Sequence, residues 1–517
     1  MTLSKMIRQL LPLLLAAVTI GAGYLQAQAP PPAPSQPPPA PQPVKIGSVT
    51  ITGNFRTRVE SWSWFEDGAA ENTYTFAGNV FRLGLGQQNR KFDWQVEVAA
   101  PFLLGLPRNA VAPGAQGQLG LGGSYFVAND REMNPGMVFI RQGFVRLKGL
   151  GGNEAHSLRF GRFEFLEGTE TTPRDATLAA LKRDRIAHRL IGNFAFSHVW
   201  RSFDGVQYTF NRPSTNVTFF GARPTRGVFQ VDGWGELNIG VTSVSITRPV
   251  ATQKSTGEWR AFAIYYHDWR TVGENGAPFP VKTDNRTLGT AAKQAERTAD
   301  TGNIRIGTFG GNYSHVFDRG GAGKFDVLFW GVLQTGKWGA DDHRAGAGVA
   351  EAGYQPPMNL LKPWIRVGYS FGSGDSDPND DRHNTFFQIL PTPRIYARFP
   401  FYNMMNNQDL FAELILRPHS KVTVRTDVHS LRLANRTDLW YQGGGAFQPW
   451  TFGYVGRASN GNRSLAMMFD VSADVQVNSH VNINAYFAHA QGKMLTSSIY
   501  PSGKHARLGY VELGYRF

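Results

Sequence analysis

The chain has no cysteine among its 517 residues, so it has no disulfide bond, thiolate nucleophile or cysteine-ligated zinc. Beyond residue 20 it also has no apolar run approaching the roughly 20 residues of a transmembrane helix, which argues against a helical membrane protein. The G-x-S-x-G and H-E-x-x-H motifs of hydrolases and metalloproteases are missing as well. The sequence therefore predicts no catalytic site, metal centre or cofactor.

Two segments at the start of the chain are set apart by composition. Lys5 and Arg8 precede an apolar run at 10–20, which predicts a signal peptide over residues 1–29; a single anchor helix would need about twice that run. Residues 30–43 contain nine prolines in fourteen positions. We interpret residues 30–45 as a stiff, solvated linker in the periplasm. The alternative is a ligand for a proline-binding partner there.

The rest of the chain consists of short segments in which apolar and polar residues alternate. In RLGYVELGYRF at 507–517, Val511, Leu513, Tyr515 and Phe517 share one face and Glu512 lies on the other. Segments of about ten residues with this pattern, separated by turns, are typical of transmembrane β-barrels. No repeat of 20 to 50 residues supports a solenoid. We predict an all-β fold: a closed antiparallel barrel of about 18 strands (16 to 20) over residues 46–517, in the outer membrane of a Gram-negative-type bacterium.

The connections near the end of the chain predict the orientation. Short linkers at 417–421 and 477–480 alternate with long ones at 434–460 and 491–506. Outer-membrane barrels keep short turns in the periplasm and long loops outside. The final strand should therefore run inward, end at the periplasm and close the sheet against the first strand, leaving no open edge.

Four segments resemble the alginate export family of outer-membrane porins. In order along the chain they are RSFDGVQY at 201–208, WIRVGYSFGSGDSDPNDDRHNTFFQILPTPR at 364–394, DVHSLRLANRTDLWYQGGG at 427–445 and AHAQGKML at 488–495. The resemblance covers about residues 46–517. It implies a barrel of about eighteen strands and passive passage of an anionic polysaccharide through a lumen lined with Arg and Lys. A general or nutrient-uptake porin, and a plugged structural or enzymatic barrel, remain as alternatives.

Charge supports an anionic cargo only in part. The net charge is +14, or +12 without Lys5 and Arg8, and it attracts anions at long range. Strand parity predicts eight basic and eight acidic side chains in the pore wall, so the wall itself is balanced. The basic set is Arg56, Arg58, Arg82, Arg159, Arg305, Arg366, Arg425 and Arg516. The acidic set is Glu60, Asp93, Glu97, Glu413, Asp427, Asp470, Asp474 and Glu512.

The excess positive charge must then lie largely in loops. LAALKRDRIAHRL at 178–190 is the best candidate, because Lys182, Arg183, Arg185 and Arg189 outnumber its single acid. We expect this segment either to fold into the lumen as a basic constriction or to lie outside and face anionic lipopolysaccharide.

Two further sets of residues are candidate binding sites. Asp375, Asp377 and Asn379 occupy positions 1, 3 and 5 of a calcium loop, but the glycine at position 6 and the glutamate at position 12 are missing, which favours a solvated turn. Aromatic residues near strand ends, namely Trp200, Trp330, Trp440 and Tyr441, suit an interfacial girdle; Trp330 is the one expected to face a saccharide. No pattern indicates nucleic-acid binding.

Overall fold

A computed structural model of the protein describes residues 44–66, 68, 70–270 and 287–517. The predicted signal peptide at 1–29 and nearly all of the predicted linker lie outside these residues. The last linker residues, Val44 and Lys45, belong to a short strand, Val44–Ile46, which pairs with residues 49–51.

The described residues form one closed antiparallel barrel of eighteen strands, as the sequence predicted. We label them in chain order: β1 Val49–Ser63, β2 Thr73–Gln88, β3 Phe92–Leu104, β4 Phe139–Lys148, β5 His156–Phe163, β6 Phe203–Arg212, β7 Thr215–Pro224, β8 Ile239–Thr252, β9 Ser255–Asp268, β10 Ile304–Asp318, β11 Lys324–Trp338, β12 Asp341–Gln355, β13 Trp364–Gly372, β14 Asn407–His419, β15 Val422–Leu433, β16 Ser464–Gln476, β17 Val481–Gly492 and β18 His505–Arg516. Arg382–His383 adds a short parallel pairing to β12, and Trp440–Gln442 pairs with Val455–Arg457 outside the barrel sheet.

The barrel closes where β18 pairs with β1, from Asn54 opposite Arg516 to Ser63 opposite Arg507. Phe517 extends this ladder by exchanging two backbone hydrogen bonds with Gly53, at 3.0 and 3.1 Å. A Cβ atom at Gly53 would lie 2.0 Å from the Phe517 ring, so only glycine leaves room for it. Closure satisfies the edge groups of both terminal strands, which hydrocarbon could not do.

The two rims differ in the way the sequence predicted. Turns at one rim are short, namely 89–91, 149–155, 213–214, 253–254, 319–323, 356–363, 420–421 and 477–480. We call this the short-turn rim. The other, the long-loop rim, carries the connections at 64–72, 105–138, 164–202, 225–238, 269–303, 373–406, 434–463 and 493–504, and one two-residue turn at 339–340.

Short helices lie only in connections of the described chain: α1 Leu121–Ala128, α2 Ala176–Leu181, α3 Ala291–Ala299 and α4 Met494–Ile499. A π-helical turn, Lys182–Ile186, continues α2, and single 3-10 turns occur at Leu150–Gly152, Gly320–Ala322 and Pro393–Ile395. No helix in the described ranges is long and apolar enough to cross a membrane.

The barrel interior near the long-loop rim is an apolar core built mainly from the long loops. Trp64 stacks on Phe399 with ring centroids 5.4 Å apart, and Phe65 stacks on Phe401 at 5.2 Å. Burying each such ring stabilises the packing by about 1.5–3 kcal/mol. The polar part of the interior is therefore concentrated toward the short-turn rim, along the strand walls.

Candidate functional site: the inserted segment and the lumen wall

The connection at 164–202, which we call the inserted segment, runs through the lumen to the short-turn rim and back. Asp175 caps α2 by accepting a hydrogen bond from the Leu178 amide at 2.8 Å. Its second carboxylate oxygen lies 3.5 Å from the Nζ of Lys324, the first residue of β11. Gln355, the last residue of β12, donates to Thr177 at 3.1 Å. Both contacts fix the turn of the segment at the short-turn rim.

An apolar contact holds α2 against the wall. Leu178, Ala180 and Leu181 pack with Val316, Trp364 and Ile415 in a small buried cluster. These wall residues come from β10, β13 and β14. The segment therefore lies along one side of the lumen.

Three of the four basic residues predicted for a constriction are bound to wall carboxylates. Lys182 lies 2.7 Å from Glu258 of β9. Arg185 donates two hydrogen bonds to Glu351 of β12, at 2.8 and 2.9 Å, and Arg189 lies 3.6 Å from the same carboxylate. Predicted wall residue Arg366 approaches Glu351 to 3.0 Å. The segment lies inside the barrel, and most of its charge is neutralised there.

Arg183 is the exception, because 64% of its side chain is exposed. It pairs with Asp184 at 2.7 Å, and Asp184 in turn pairs with Arg425 of β15 at 2.9 Å. Arg417 of β14 lies nearby and interacts electrostatically with all three. We call these four residues the Asp184 group; it has three basic side chains and one acidic side chain, and Arg425 also lies 3.6 Å from Glu413.

A second basic site surrounds Trp200, near the end of the inserted segment. The guanidinium carbons of Arg56, Arg82 and Arg141 lie 5.5, 4.2 and 4.3 Å from the indole centroid. Two carboxylates complete this Trp200 cluster: Arg141 pairs with both Glu97 and Glu164. Arg56 also donates to the Ala195 carbonyl at 2.8 Å, tying the segment to β1. Arg56 lies 3.6 Å from a third carboxylate, Glu512, and the cluster is partly exposed, with Arg82 at 17%.

Predicted wall residues Arg58, Glu60 and Glu512 form a buried network at the barrel seam. Arg58 lies 2.6 Å from Glu512 and 3.3 Å from Glu60. Arg58 also donates to the Phe196 carbonyl at 3.0 Å. His198 lies 3.8 Å from Glu60. These contacts join the inserted segment to β1 and β18, which makes the network a structural anchor.

Acidic side chains gather on a different part of the wall. Glu413, Asp427 and Asp470 occupy directly facing positions on β14, β15 and β16. Arg366 continues this row on β13, lies 3.8 Å from Glu413 and also pairs with Asp326. Acidic side chains therefore concentrate at β14–β16, where Arg366 and Arg425 pair with Glu413, whereas arginines concentrate around Trp200.

Three further predicted wall residues, Arg159, Arg305 and Arg516, do not all face the lumen. Arg159 lies inside, 4.0 Å from the Phe163 ring, and Arg516 donates to the Ser479 carbonyl at the short-turn rim. Arg305 is outside: it is exposed on the same face as Phe309, while Ile304 points into the buried interior. This corrects its assignment to the pore. Close to the long-loop rim the interior is apolar, so the apolar face of β10 points inward there.

The aromatic residues expected at an interfacial girdle are all internal. Trp330 is 3% exposed, Trp440 is 1% and Tyr441 is fully buried. Trp200 lies within its arginine cluster. The girdle interpretation of these four residues is therefore wrong: Trp330 is on the inward face of β11, and Trp200, Trp440 and Tyr441 belong to long connections that fold back into the barrel.

Asp375, Asp377 and Asn379 use their side chains to hold the loop backbone. Asp375 accepts from the Asp377 amide at 3.2 Å, and Asp377 accepts from the Asn379 amide at 3.0 Å. No cluster of three metal-ligating side chains occurs in the part of the chain that the structure describes. Asp438 accepts from the Asp375 amide at 2.9 Å; burial and then the Asp438 carboxylate raise the pKa of Asp375 to about 7.

Sequence reasoning missed the partners that give these basic residues their roles. Glu351 sits in AGAGVAEAGY at 345–354, where small residues hide the alternation. Glu258 and Glu164 lie near strand ends, where alternation does not fix the face of a side chain. The sequence pointed to Trp200 only as a girdle residue, because its arginine partners lie far away in the chain.

Comparisons with known proteins agree with this architecture. Residues 127–492 match the family model described as Alginate export. Among solved structures, Acinetobacter baumannii OccAB2 superposes with a TM-score of 0.54 at 9% identity, over 91% of this chain and 98% of that one. Pseudomonas aeruginosa OccK9 (OpdG) gives 0.54 at 10% identity, over 91% and 99%. No curated protein matches the sequence. The structural likeness shows the fold alone.

Proposed function

This chain belongs to the alginate export family, and from that premise we propose that it conducts anionic solutes passively, with acidic polysaccharide as the cargo class. Family and fold are those of a channel in the outer membrane of Gram-negative bacteria and not those of an enzyme. This location makes the short-turn rim periplasmic and the long-loop rim extracellular. Passive conduction requires no cofactor.

The observation that carries the proposal is the Trp200 cluster. Three guanidinium groups converge on one indole inside the lumen, where Arg141 pairs with Glu97 and Glu164 and Arg56 lies 3.6 Å from Glu512. Guanidinium groups bind carboxylates through paired, charge-assisted hydrogen bonds. The indole face offers an apolar surface for the ring of a sugar. A uronate residue has both a carboxylate for the guanidinium groups and a sugar ring for the indole face.

The Asp184 group supports the same function from another part of the wall, β14 and β15. Arg183, Arg417 and Arg425 surround Asp184, Arg425 also lies 3.6 Å from Glu413, and Arg183 is open to water. The inserted segment contributes to both sites. An anionic chain passing the segment would meet arginines at both places, and two sites of moderate strength allow both entry and release.

A second candidate function is that of a closed barrel. The apolar core at the extracellular end, with Phe387, Phe399 and Phe401 buried at 0–1% exposure, favours it. If this core does not open, the protein is a structural barrel. The conductance experiment distinguishes the two functions.

The test is single-channel recording of the refolded protein in a planar bilayer, with oligouronates added to one side. We expect stable openings that oligouronates block and neutral oligosaccharides of equal length do not. Equal block by both would contradict the anionic cargo. Absence of conductance would favour the closed barrel.

A further inference from the structure

The outer wall over β9–β12 carries basic side chains at the extracellular rim. His267, Arg305 and Lys337 occupy adjacent facing positions on β9, β10 and β11. Arg344 lies on the next outward row, opposite Thr335. Arg305, Lys337 and Arg344, which we call the outer basic group, are all exposed. Lys337 pairs with Asp342 at 2.5 Å, whereas Arg305 and Arg344 have no ion-pair partner within residues 44–66, 68, 70–270 and 287–517.

Below this group the wall has an apolar depression. Gly311, Gly331 and Gly348 face one another on β10, β11 and β12, so three neighbouring strands lack side chains at the same height. Phe371 of β13 borders this hollow at the same height, opposite Gly348, and other apolar residues border it above and below: Phe309, Leu333, Tyr313, Phe329 and Tyr369. The open cavity has a volume of about 770 Å³. A second depression of about 620 Å³, lined by Phe309, Leu333 and Arg344, lies between it and the basic side chains.

The spacing matches the outer leaflet of a membrane. Arg344 and Gly348 are four residues apart, which is about 13 Å along the strand and about 10 Å along the membrane normal at the usual tilt. A leaflet of hydrocarbon is about 15 Å deep. The glycine row therefore lies at the depth of acyl chains, and the basic group lies at the depth of head groups.

We propose that this wall binds one phosphorylated glycolipid of the outer leaflet, of the lipid A class. Its phosphates lie against Arg305, Lys337 and Arg344, and its acyl chains fill the two depressions. Charge complementarity selects this occupant: exposed guanidinium groups at head-group depth match phosphate monoesters. A neutral lipid would leave Arg305 and Arg344 without ion-pair partners among the described residues, and a second copy of the chain would bring like charges together.

Native mass spectrometry of the full-length protein with purified lipid A tests the proposal. The variant R305A/K337A/R344A should bind lipid A about 100-fold more weakly, at about fivefold per charge. R507A is the matched control, since Arg507 is an exposed, outward residue of β18 at the same rim. It should bind as the wild type does.

A second variant tests the depression without changing charge. A Cβ atom at Gly331 or Gly348 would have its nearest neighbour at 3.8 Å, so the backbone accepts side chains there. G331L/G348L should fill the hollow and reduce lipid A binding at least tenfold, with the heat-modifiable mobility of the folded barrel unchanged. Equal binding by wild type, triple variant and R507A would overturn the proposal. So would absence of lipid A from the wild type, or equal displacement by phosphatidylglycerol.

Discussion

Burial separates the roles of neighbouring charges on the inserted segment. Arg185 is buried and held by Glu351 through two hydrogen bonds, whereas Arg183, two residues earlier, is 64% exposed. A buried, paired guanidinium fixes structure because removing it leaves an uncompensated charge. An exposed one remains accessible to passing ions. We therefore propose different functions for residues of the same type two positions apart.

Charge reversal at these two positions should give different results. Arg185→Glu places a carboxylate against Glu351 and should destabilise docking of the segment by about 3–5 kcal/mol. Arg183→Glu should leave stability within about 1 kcal/mol and shift ion selectivity toward cations. Protease cleavage within 164–202 measures docking, and the reversal potential measures selectivity. Equal protease sensitivity of the two variants would contradict this division.

Trp200 should contribute to cargo binding beyond its arginines. Trp200→Leu removes the indole face and its contacts with three guanidinium groups, worth about 1 kcal/mol or more. We expect the oligouronate concentration for half block to rise about tenfold. Trp234→Leu is the control, because Trp234 is 48% exposed in another loop. An unchanged blocking concentration in Trp200→Leu would exclude stacking at this position.

At the scale of elements, hydrogen bonds to one carboxylate join two extracellular loops. Asp438 in the 434–463 loop accepts from Thr385 at 2.5 Å and from the Asp375 amide at 2.9 Å, both in the 373–406 loop. It also accepts from Tyr441 at 2.8 Å within its own loop. The Asp375 carboxyl is buried beside it. We therefore expect the contact between these loops to depend on the protonation of Asp375.

This contact should weaken as pH rises. The folded pKa of Asp375, about 7, is above the ordinary value near 4, so the docked loop favours the protonated form. Its stabilisation is complete below pH 4 and is lost between pH 4 and 7. Hydrogen exchange of residues 373–390, corrected for intrinsic rates, should be at least about tenfold faster at pH 8 than at pH 5.

Asp375→Asn keeps the oxygen that accepts from Asp377 and removes the titration. Its exchange should be nearly the same at both pH values. If the variant shows the same pH dependence as the wild type, another group controls the contact.

The closing strand depends on a glycine of the first strand. Gly53→Leu would displace the Phe517 ring and should destabilise closure by about 1–3 kcal/mol. Gly509→Ala on β18 is the control, because its Cβ would have its nearest neighbour at 3.8 Å. The temperature at which the folded band is lost in gel electrophoresis reports the difference. A similar transition temperature for both variants would show that the Phe517 ring adds nothing to the stability of the closed barrel.

For the whole molecule, period-two alternation predicted the strands, their approximate number and the closed seam. It worked because lipid requires an apolar outer face on every strand. The alternation rule failed near the long-loop rim, where apolar loop residues and not water fill the barrel interior. At Ile304 and Ile306 the inner face is as apolar as the outer one, so the rule put Arg305 on the wrong side.

The position of the inserted segment was predicted only as one of two alternatives. Its helical pattern at 178–190 showed an apolar side but not which surface would cover it. The ion-pair partners lie far away in sequence, as with Arg185 and Glu351, 166 residues apart. The local sequence pattern carries no information about such pairs, so the balance of charges in the lumen could be established only from the structure.

The central claim, an anion-selective lumen governed by the Trp200 cluster, is tested most directly by the reversal potential under a KCl gradient in a planar bilayer. We predict anion selectivity for the wild type. We also predict reduced selectivity for Arg82→Gln, and wild-type selectivity for Arg248→Gln, which alters an outward residue of β8. A cation-selective or unselective wild-type channel, or an Arg82→Gln channel as selective as the wild type, would contradict this claim.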